Sequence, residues 1–438
     1  MTRWTLSIRL LLATVLVGGV ALVAAGCGSD SSKAAGEIEV WHGYGQLAAP
    51  GEEPNIELNS FAKLVKEFEA THPDIKVKTT YVNSDFSLEK LTVALRGGKA
   101  PDVTYQYGTN MAQLATTPKV VDLTDRVADE AYDWNDVFKG VRDVFTVDGK
   151  VLGVPALVDN LAVVYNKTLF KQAGLPVPAP DWTWDQFVAD AKKLSDPGKK
   201  QFGTEFPIDG SESQVWKYIA MLWGAGGDIL DETNTKAVFA SPEGVRALQV
   251  LDDLAKAKTI YLNAAPDSPK ASQLFNADKI GMFITGPWDL SSFPDADYGV
   301  QVMPSFDQGG GHDTIAGPDA WVVVDNGSDR VEAAWTFVSW LTAKEQVLED
   351  SLATGHLPTR ASVEKMPGFP LFATNYPGVE AFAKNLVNVK KARPSVATYP
   401  QVSQLLGNAV TSVLLGKATP QAALDAAATD ANAVLAGK

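Results

Sequence analysis

Glu37-Ile-Glu-Val-Trp41 opens a stretch of the chain in which strand-like and helix-like segments alternate, and this alternation decides the fold. In the segment 60–70, with Ser60 as the predicted N-cap, apolar residues recur at the spacing of one helix face: Phe61, Leu64, Val65 and Phe68. The segment 75–82 alternates as a half-buried strand, a second helix follows at 88–95, and a third strand follows at 101–105. Strands joined by helices in this order favour right-handed crossovers, so the sequence predicts an α/β fold with a parallel sheet.

The loops that follow these strands are the first candidates for a binding site, because ligands of open α/β sheets bind beyond the carboxyl ends of the strands. These loops come after Trp41, Val82 and Tyr105. Later parts of the chain repeat the alternation, with strands predicted at 161–165, 280–284 and 321–324 and helices at 216–223, 331–341 and 420–435. Two more helices are predicted to begin at the N-caps Thr183 and Ser241.

Length and composition exclude several function classes. A chain of 438 residues is expected to form two lobes, and its 45% hydrophobic and 21% charged residues are ordinary for a globular protein. The formal net charge of −14 argues against nucleic-acid binding, which requires clustered cations. The single cysteine excludes an internal disulfide and a metal site rich in cysteine.

The amino terminus has the pattern of an export signal. Two arginines precede the uncharged, mostly apolar run 10–25, which ends in small residues directly before Cys27. Because this run is too short for a transmembrane helix, residues 1–26 are predicted to be a cleaved signal peptide. The arrangement resembles the lipobox of bacterial lipoproteins, which implies lipidation of Cys27, and the alternative is a plain cleaved signal. Residues 27–36 are polar and predicted to form a tether, so the lipid would be the only membrane attachment.

Six short motifs follow one another between residues 37 and 438. They are Ile38-Glu-Val-Trp-His42, Phe68-Glu-Ala-Thr-His-Pro-Asp-Ile-Lys-Val77, Gly98-Lys-Ala-Pro-Asp-Val103, Leu152-Gly-Val-Pro155 with Val164-Tyr-Asn-Lys167, Phe283-Ile-Thr-Gly-Pro-Trp288 and Gly355-His-Leu-Pro-Thr-Arg360. In this order they resemble the extracellular solute-binding proteins of ABC importers, specifically the sugar-binding group that includes maltose-binding protein. The resemblance implies a two-lobe α/β fold of the periplasmic-binding-protein type (type II), with a ligand cleft between the lobes, no cofactor and no catalytic activity.

The resemblance also implies where the lobes begin and end. The N-terminal lobe is expected over residues 37–156 plus 320–348, and the C-terminal lobe over residues 159–317 plus 350–438. The three crossings between the lobes would then fall near 155–159, 316–319 and 345–352. Short crossings of this kind predict that the lobes close on a bound ligand.

Sugar binding has a defined physical basis, because aromatic rings stack on the apolar faces of a sugar while its hydroxyls bond to carboxylates, amides and arginine. The resemblance implies a stacking aromatic at Trp288 and an acidic ligand contact at Asp159, and these two residues are expected to contribute most to affinity. Further candidates lie in the loops after strands, at a helix end or in a crossing: His42, Tyr44, Asn83, Asp85, Gln106, Tyr107, Trp223, Gly317, Asp319 and Arg360.

Each candidate also has a purely structural interpretation. Trp288 could be a core residue, Asp159 a solvated hinge carboxylate and Arg360 a member of a surface ion pair. Gln106 stands where maltose binders carry an aromatic residue, which puts maltose itself in doubt, and Tyr107 is the residue that could replace that aromatic.

Other functions are weaker alternatives. A binding protein for a peptide, amino acid, polyol or anion remains open, but Arg360 is the only cation predicted near the cleft, whereas anion sites need several cations or helix amino termini. A secreted glycoside hydrolase also remains open, because an acidic protein always offers pairs of carboxylates. Gly43-Tyr-Gly45 imitates a dinucleotide motif, but Pro50 and Pro54 interrupt the required helix. The four histidines show no zinc-binding spacing.

The resemblance implies the partners and the location of the protein. It would capture a neutral sugar or oligosaccharide outside the cytoplasm and deliver it to the permease subunits and ATPase of an ABC importer. It would act as a monomer, anchored by its lipid to the outer face of the cell membrane.

Overall fold

The strands of the molecule form two separate five-stranded sheets and one small hairpin. The computed structural model describes residues 36–45, 55–265, 270–389, 391 and 393–437. The strands within this part are β1 (Glu37–His42), β2 (Lys76–Tyr81), β3 (Val103–Tyr107), β4 (Thr146–Val147), β5 (Lys150–Val151), β6 (Val154–Asn160), β7 (Ala162–Asn166), β8 (Phe202–Pro207), β9 (Ile260–Asn263), β10 (Ile280–Thr285), β11 (Tyr298–Gln301) and β12 (Ala316–Val323).

The first sheet has the strand order β2-β1-β3-β12-β6. Strand β1 pairs in parallel with both β2 and β3, as the alternation of strands and helices in 37–105 predicts. Strand β12 lies antiparallel between β3 and β6. The sequence predicted a strand at 321–324 but not its antiparallel direction, which arises because β12 returns from the second sheet and therefore enters the first from the opposite end.

The second sheet has the order β11-β7-β10-β8-β9. Strands β8, β9 and β10 are parallel, whereas β7 lies antiparallel between β10 and β11. Strands β4 and β5 form the separate hairpin.

Helices cover both sheets. Their bounds are α1 (Ile56–Thr71), α2 (Ser87–Arg96), α3 (Met111–Ala115), α4 (Thr124–Val127), α5 (Lys139–Phe145), α6 (Lys167–Gln172), α7 (Trp184–Leu194), α8 (Glu212–Gly224), α9 (Pro242–Lys256), α10 (Lys270–Asn276), α11 (Ser328–Leu341), α12 (Lys344–Thr354), α13 (Pro370–Asn375), α14 (Val379–Asn385), α15 (Tyr399–Leu414) and α16 (Pro420–Leu435). Thr183 and Ser241 cap α7 and α9, so both predicted N-caps are confirmed. The N-cap predicted for α1 is wrong: Asn55 caps this helix, and the Ser60 hydroxyl donates instead to Asp350 of α12 at 2.8 Å.

Alternating side chains place each sheet between two apolar clusters. On β12, Trp321 and Val323 belong to the cluster under α1 and α11, whereas Val322 points to the opposite face. The cluster on that opposite face also takes in Val164 of β7 and Phe283 of β10, which belong to the second sheet. The other face of the second sheet packs against α7, α8, α9, α15 and α16. We call each sheet with the helices packed on it the first and the second lobe.

The first two passages between the lobes differ from the predicted crossings. Strand β6 stays in the first sheet as far as Asn160, and β7 begins in the second sheet at Ala162. Strand β12 is already paired in the first sheet at Ala316. The pairing of β6 with β12 continues to Asn160 and Ala316 because the backbone N–H and C=O groups of a buried segment need hydrogen-bond partners. We therefore propose passages at Leu161 and just before Ala316.

The third passage also lies later than the predicted 345–352. Helix α12 packs on α1 of the first lobe along its length, and Leu357 then pairs with Val158 of β6. Helix α14 contacts strands of both sheets, β6 and β11. We therefore propose that the third passage runs through α14.

Candidate functional site

The two lobes meet where β12 of the first sheet faces α8 of the second lobe. A Cβ atom at Gly317 would lie only 3.0 Å from the ring of Trp216, so the indole packs directly on the backbone of β12. Helix α15 of the second lobe contacts the turn Gly108–Asn110, which follows β3. We call the side chains gathered here the interlobe site. It lies at the carboxyl end of β3, as the α/β pattern predicts for a binding site.

Two tryptophans form the second-lobe wall of this site. The rings of Trp216 and Trp288 lie 5.6 Å apart between centroids, at an angle of 31°. The Trp288 ring folds back over Gly286, where a Cβ atom would collide with it at 1.7 Å, so only glycine permits this placement. The Trp216 indole nitrogen is buried and has no hydrogen-bond partner among the described residues. An unpaired buried donor is unfavourable, so a ligand that accepts a hydrogen bond here would be stabilised.

Side chains after β2 and β3 form part of the opposite wall. The Tyr107 hydroxyl donates to Asp85 at 3.1 Å and also hydrogen-bonds with Ser213 at the start of α8. The Asn83 side chain accepts a hydrogen bond from the Asp85 backbone and thereby fixes this loop. Tyr107 and Ser213 thus connect the two lobes directly.

Asp319 lies on β12 between the two walls. It accepts a hydrogen bond of 2.6 Å from the Tyr105 hydroxyl. Burial raises the pKa of Asp319 to about 7, although the Tyr105 hydroxyl and the field of Arg393 oppose this shift. Asp319 can therefore change its charge near neutral pH.

Tyr44 lies among carboxylates from several elements. Burial and the fields of the surrounding acids raise its pKa well above the usual value, and these acids are Asp350, Glu57, Asp319 and Asp159. Glu57 of α1 also acts across the site: burial raises the pKa of Asp289 in the second lobe to about 6, and Glu57 contributes to that rise. The interlobe site is therefore acidic on both sides.

One arginine reaches this acidic surface, but its charge is balanced. The Arg393 guanidinium donates to Glu212 at 2.6 Å. Glu212 also accepts hydrogen bonds from Tyr399, at 3.0 Å, and from Ser403. This carboxylate therefore neutralises Arg393 where it faces Asp319.

The structure does not leave Asp159 available to a ligand. This residue is 1% exposed, and both of its carboxylate oxygens are used within the chain. One oxygen accepts from the His356 imidazole, and the other accepts from the backbone of Leu357 at 3.1 Å. The sequence analysis placed Asp159 in the first crossing, whereas the structure places it within β6, and the sequence could not show that a histidine 197 residues further on would pair with it.

Arg360 and Trp223 also lie away from the interlobe site. Arg360 is 3% exposed and donates to the backbone carbonyls of Thr342, Asp133 and Tyr132, so it holds α12 to the first lobe and lines a separate groove of about 560 Å³. Trp223 is 3% exposed in the core of the second lobe, and its indole donates to Asp228 at 3.2 Å. We therefore leave both residues out of the proposed site.

Gln106 and His42 lie beneath the site. Gln106 is fully buried, and its amide oxygen accepts hydrogen bonds from Asn110, at 3.0 Å, and Ser87, at 3.3 Å. His42 packs among aromatic rings, and burial lowers its pKa to about 4, so it is neutral at physiological pH. Both residues support the first-lobe wall from within.

Of the predicted residues, the structure brings together Trp288, Asn83, Asp85, Tyr107, Gly317 and Asp319. Tyr44 instead lies in the core of the first lobe, where its ring packs against Phe61, Tyr105 and Trp321. Sequence reasoning missed Trp216, Glu57, Ser213, Asp289 and Arg393. Trp216 and Ser213 could have been found, because α8 follows the carboxyl end of β8 and the loop rule applied to the first sheet holds there as well. Nothing in the sequence around Arg393 indicates its position.

The described ranges lack the features of two other kinds of site. They contain no group of three or more histidine, cysteine, aspartate or glutamate side chains arranged to hold a metal ion. None of their helices has the length and apolarity needed to cross a bilayer. Cys27, the predicted signal peptide 1–26 and all of the predicted tether except Gly36 lie outside the described residues.

Comparison with known proteins connects this architecture to a family. Residues 54–348 match the family described as bacterial extracellular solute-binding protein. A binding protein of Brucella abortus is 29% identical over 393 residues, which cover 86% of this chain and 89% of the relative. The sn-glycerol-3-phosphate-binding periplasmic protein of Pectobacterium atrosepticum is 26% identical over 427 residues, 93% of each chain.

Solved structures show the same fold. An ABC transporter solute-binding protein of Thermotoga lettingae, bound with α-D-tagatose, superposes with a TM-score of 0.80 at 25% identity and covers 91% of this chain and 100% of its own. A substrate-binding protein of Listeria monocytogenes in complex with cycloalternan superposes with a TM-score of 0.77 at 29% identity. It covers 90% of this chain and 98% of its own. The predicted two-lobe α/β fold is thereby confirmed. With its two sheets and its match to the family over most of its length, the chain belongs to the bacterial extracellular solute-binding proteins.

Proposed function

We propose that this protein is the substrate-binding component of an ABC importer and that it binds a neutral sugar or oligosaccharide in the interlobe site. The observation that carries the proposal is the composition of that site, in which Trp216, Trp288 and Tyr107 face carboxylates from both lobes. Aromatic faces and hydroxyl acceptors are the two requirements of sugar recognition. Relatives whose structures hold tagatose and cycloalternan support this class of ligand.

The charge balance of the site supports a neutral ligand over a phosphate ester. Relatives named for binding sn-glycerol 3-phosphate make a phosphate ester the second candidate, and Arg393 is the observation that favours it. Glu212 already neutralises this guanidinium, and Asp319 is a second carboxyl group that interacts with it. A phosphate would have to enter this acidic surface without an uncompensated cation, which is electrostatically unfavourable.

A binding panel tests the ligand class. Calorimetric titration of the purified protein with α-D-tagatose, maltose, cycloalternan, ribitol and sn-glycerol 3-phosphate should give heat for at least one neutral compound. Binding should also raise the melting temperature, because a ligand that binds only the folded state stabilises it. Binding of sn-glycerol 3-phosphate alone would overturn the neutral-ligand proposal. Release of reducing ends from an oligosaccharide would instead support the glycoside hydrolase.

We further propose that the protein is a monomeric lipoprotein on the outer face of the cell membrane, where it delivers its ligand to the permease and ATPase. The run 10–25 and Cys27 support this proposal. Replacement of Cys27 by alanine should release the protein from the membrane fraction without changing its melting temperature. A Cys27→Ala protein that stays with the membrane to the same extent would contradict the lipid anchor.

A further inference from the structure

A buried histidine near the passages between the lobes takes no part in the proposed ligand contacts. His356 is 5% exposed, and its Nδ1 atom donates to a carboxylate oxygen of Asp159. Its Nε2 atom lies 3.5 Å from Oε1 of Glu57. The imidazole therefore lies between two carboxylates: Nδ1 is hydrogen-bonded to Asp159, whereas the buried Nε2 has no hydrogen-bond partner among the described residues and has only the longer ion-pair contact with Glu57.

The two carboxylates belong to different parts of the hinge region. Asp159 lies on β6, one residue from its end, and its other oxygen accepts a hydrogen bond from the backbone of Leu357, so it joins β6 to the segment that follows α12. Glu57 lies in the first turn of α1, and Gly355, directly before His356, packs against the second lobe: a Cβ atom there would lie 2.8 Å from the carbonyl oxygen of Pro287. His356 thus links the strand next to a passage with the start of α1, beside a segment that packs on the second lobe.

The other titratable groups around the imidazole are also acidic or neutral. Asp350 of α12 interacts electrostatically with His356, and Tyr44 lies among the same carboxylates. Burial by itself lowers the pKa of His356, but Asp159 and Glu57 together raise it well above its usual value of 6.5. The histidine is therefore charged at neutral pH. When the lobes are together, the positive charge of His356 offsets part of the repulsion between the carboxylates of Glu57 and Asp289.

We propose that His356 is a positioning residue of the hinge, which holds Asp159 and Glu57 as an imidazolium and thereby stabilises the closed arrangement of the lobes in which solute is bound. This inference rests on the proposed function. According to this inference, His356 does not touch the solute, yet solute affinity depends on it. The affinity should be higher when His356 is charged than when it is neutral.

The charge state can be measured without any solute. In protein labelled with ¹⁵N-histidine, the His356 ring nitrogens should give the chemical shifts of a doubly protonated imidazole at pH 7.5, and these should disappear in His356→Gln. Glu57→Gln alters a partly exposed side chain, so the fold is retained, and it should lower the pH at which His356 loses its proton. His72→Gln is the control and should leave these signals unchanged. A neutral His356 at pH 7 in the wild type would overturn the proposal.

The effect of His356 on solute binding is measured with maltose and α-D-tagatose as probes. For the probe that binds the wild type, His356→Gln should raise the dissociation constant about tenfold at pH 7, and Glu57→Gln in the same chain should restore part of the loss. Wild-type affinity should fall as pH rises through the deprotonation observed by NMR, whereas His72→Gln should match the wild type at every pH. Equal affinities of wild type and His356→Gln between pH 6 and 9 would overturn the inference. If neither probe binds, the sugar proposal loses its support, while the NMR experiment still decides the charge of His356.

Discussion

Residues of the same type have opposite roles in two regions of the molecule, the lobe cores with their hinge strands and the interlobe site. Three pairs show the difference: Trp223 and Trp216, Asp159 and Asp319, and Arg360 and Arg393. The first member of each pair finds all its partners within one lobe or at the hinge. The second member faces the other lobe. Residue type and local motif therefore do not distinguish a residue of the proposed ligand site from a structural one. The groups that each residue contacts do distinguish them.

The largest effect is expected from the two tryptophans of α8. Trp223→Ala should lower the free energy of unfolding by about 3–5 kcal/mol, because it leaves a cavity in the core of the second lobe. Trp216→Ala should lower it by less than half as much, since this ring is only partly buried. Chemical denaturation measures both values. Calorimetry with the solute that binds should show that Trp216→Ala loses at least about 2 kcal/mol of affinity, as expected for a binding hot spot. Equal losses of stability would remove the distinction between the two residues.

Replacing the two aspartates by asparagine should change the free energy of unfolding by amounts that differ somewhat less than those of the two tryptophans. Asp159→Asn leaves the buried His356 imidazolium without its closest counterion, which should lower the free energy of unfolding by about 3 kcal/mol at pH 7. Asp319→Asn should change the free energy of unfolding much less, because burial raises the pKa of Asp319 to about 7, so about half of the molecules already carry its uncharged form at this pH. Denaturation with urea at pH 7 compares the variants directly. A destabilisation by Asp319→Asn as large as that by Asp159→Asn would contradict the structural comparison.

The pH dependence of stability should sharpen the same contrast. The folded pKa of Asp319 is about 7, whereas the unfolded chain has the ordinary value of 3.8, so the folded state binds the extra proton between these values. Stability from this group is therefore present at low pH and is lost as pH rises through 7. Asp289, at about 6, acts in the same direction. The free energy of unfolding of the wild type should fall between pH 6 and pH 8 because Asp319 loses its proton. In Asp319→Asn this fall should be smaller by about 1.4 kcal/mol. Parallel profiles of the two proteins would show that Asp319 ionises normally.

The smallest effect is expected at the contact between the lobes. Gly317→Ala would place a methyl group 3.0 Å from the Trp216 ring, which should oppose closure by about 1 kcal/mol and weaken solute binding about fivefold. Gly140→Ala is the matched control, because a Cβ atom there meets no other atom within 4 Å. This control should bind solute like the wild type and be slightly more stable, since alanine favours a helix over glycine. Unchanged affinity in Gly317→Ala would show that the lobes do not close on this contact.

Much of the fold could be predicted from local patterns. The predicted strand 280–284 is observed as Ile280–Thr285, and the predicted helix 420–435 as α16 with the same bounds. Such elements are predictable because helix and strand periodicities mark the buried face, and capping residues mark where a helix begins. The direction of β12 was not predictable in this way, because it depends on a chain that leaves the first lobe and returns to it.

The sequence by itself determined which segments become strands and helices, that the first three strands run parallel, and that the proposed binding site lies beyond their carboxyl ends. It also determined that residues such as Trp288 and Asp319 come close to that site. Only the tertiary structure decided that Asp159 is held by His356, that Arg360 is bound to backbone carbonyls, and that Arg393 reaches the interlobe site. The physical reason is that periodicity and capping act over a few residues, whereas hydrogen bonds and ion pairs in a buried site join side chains up to about 200 residues apart, and the sequence contains no local signal for such pairs.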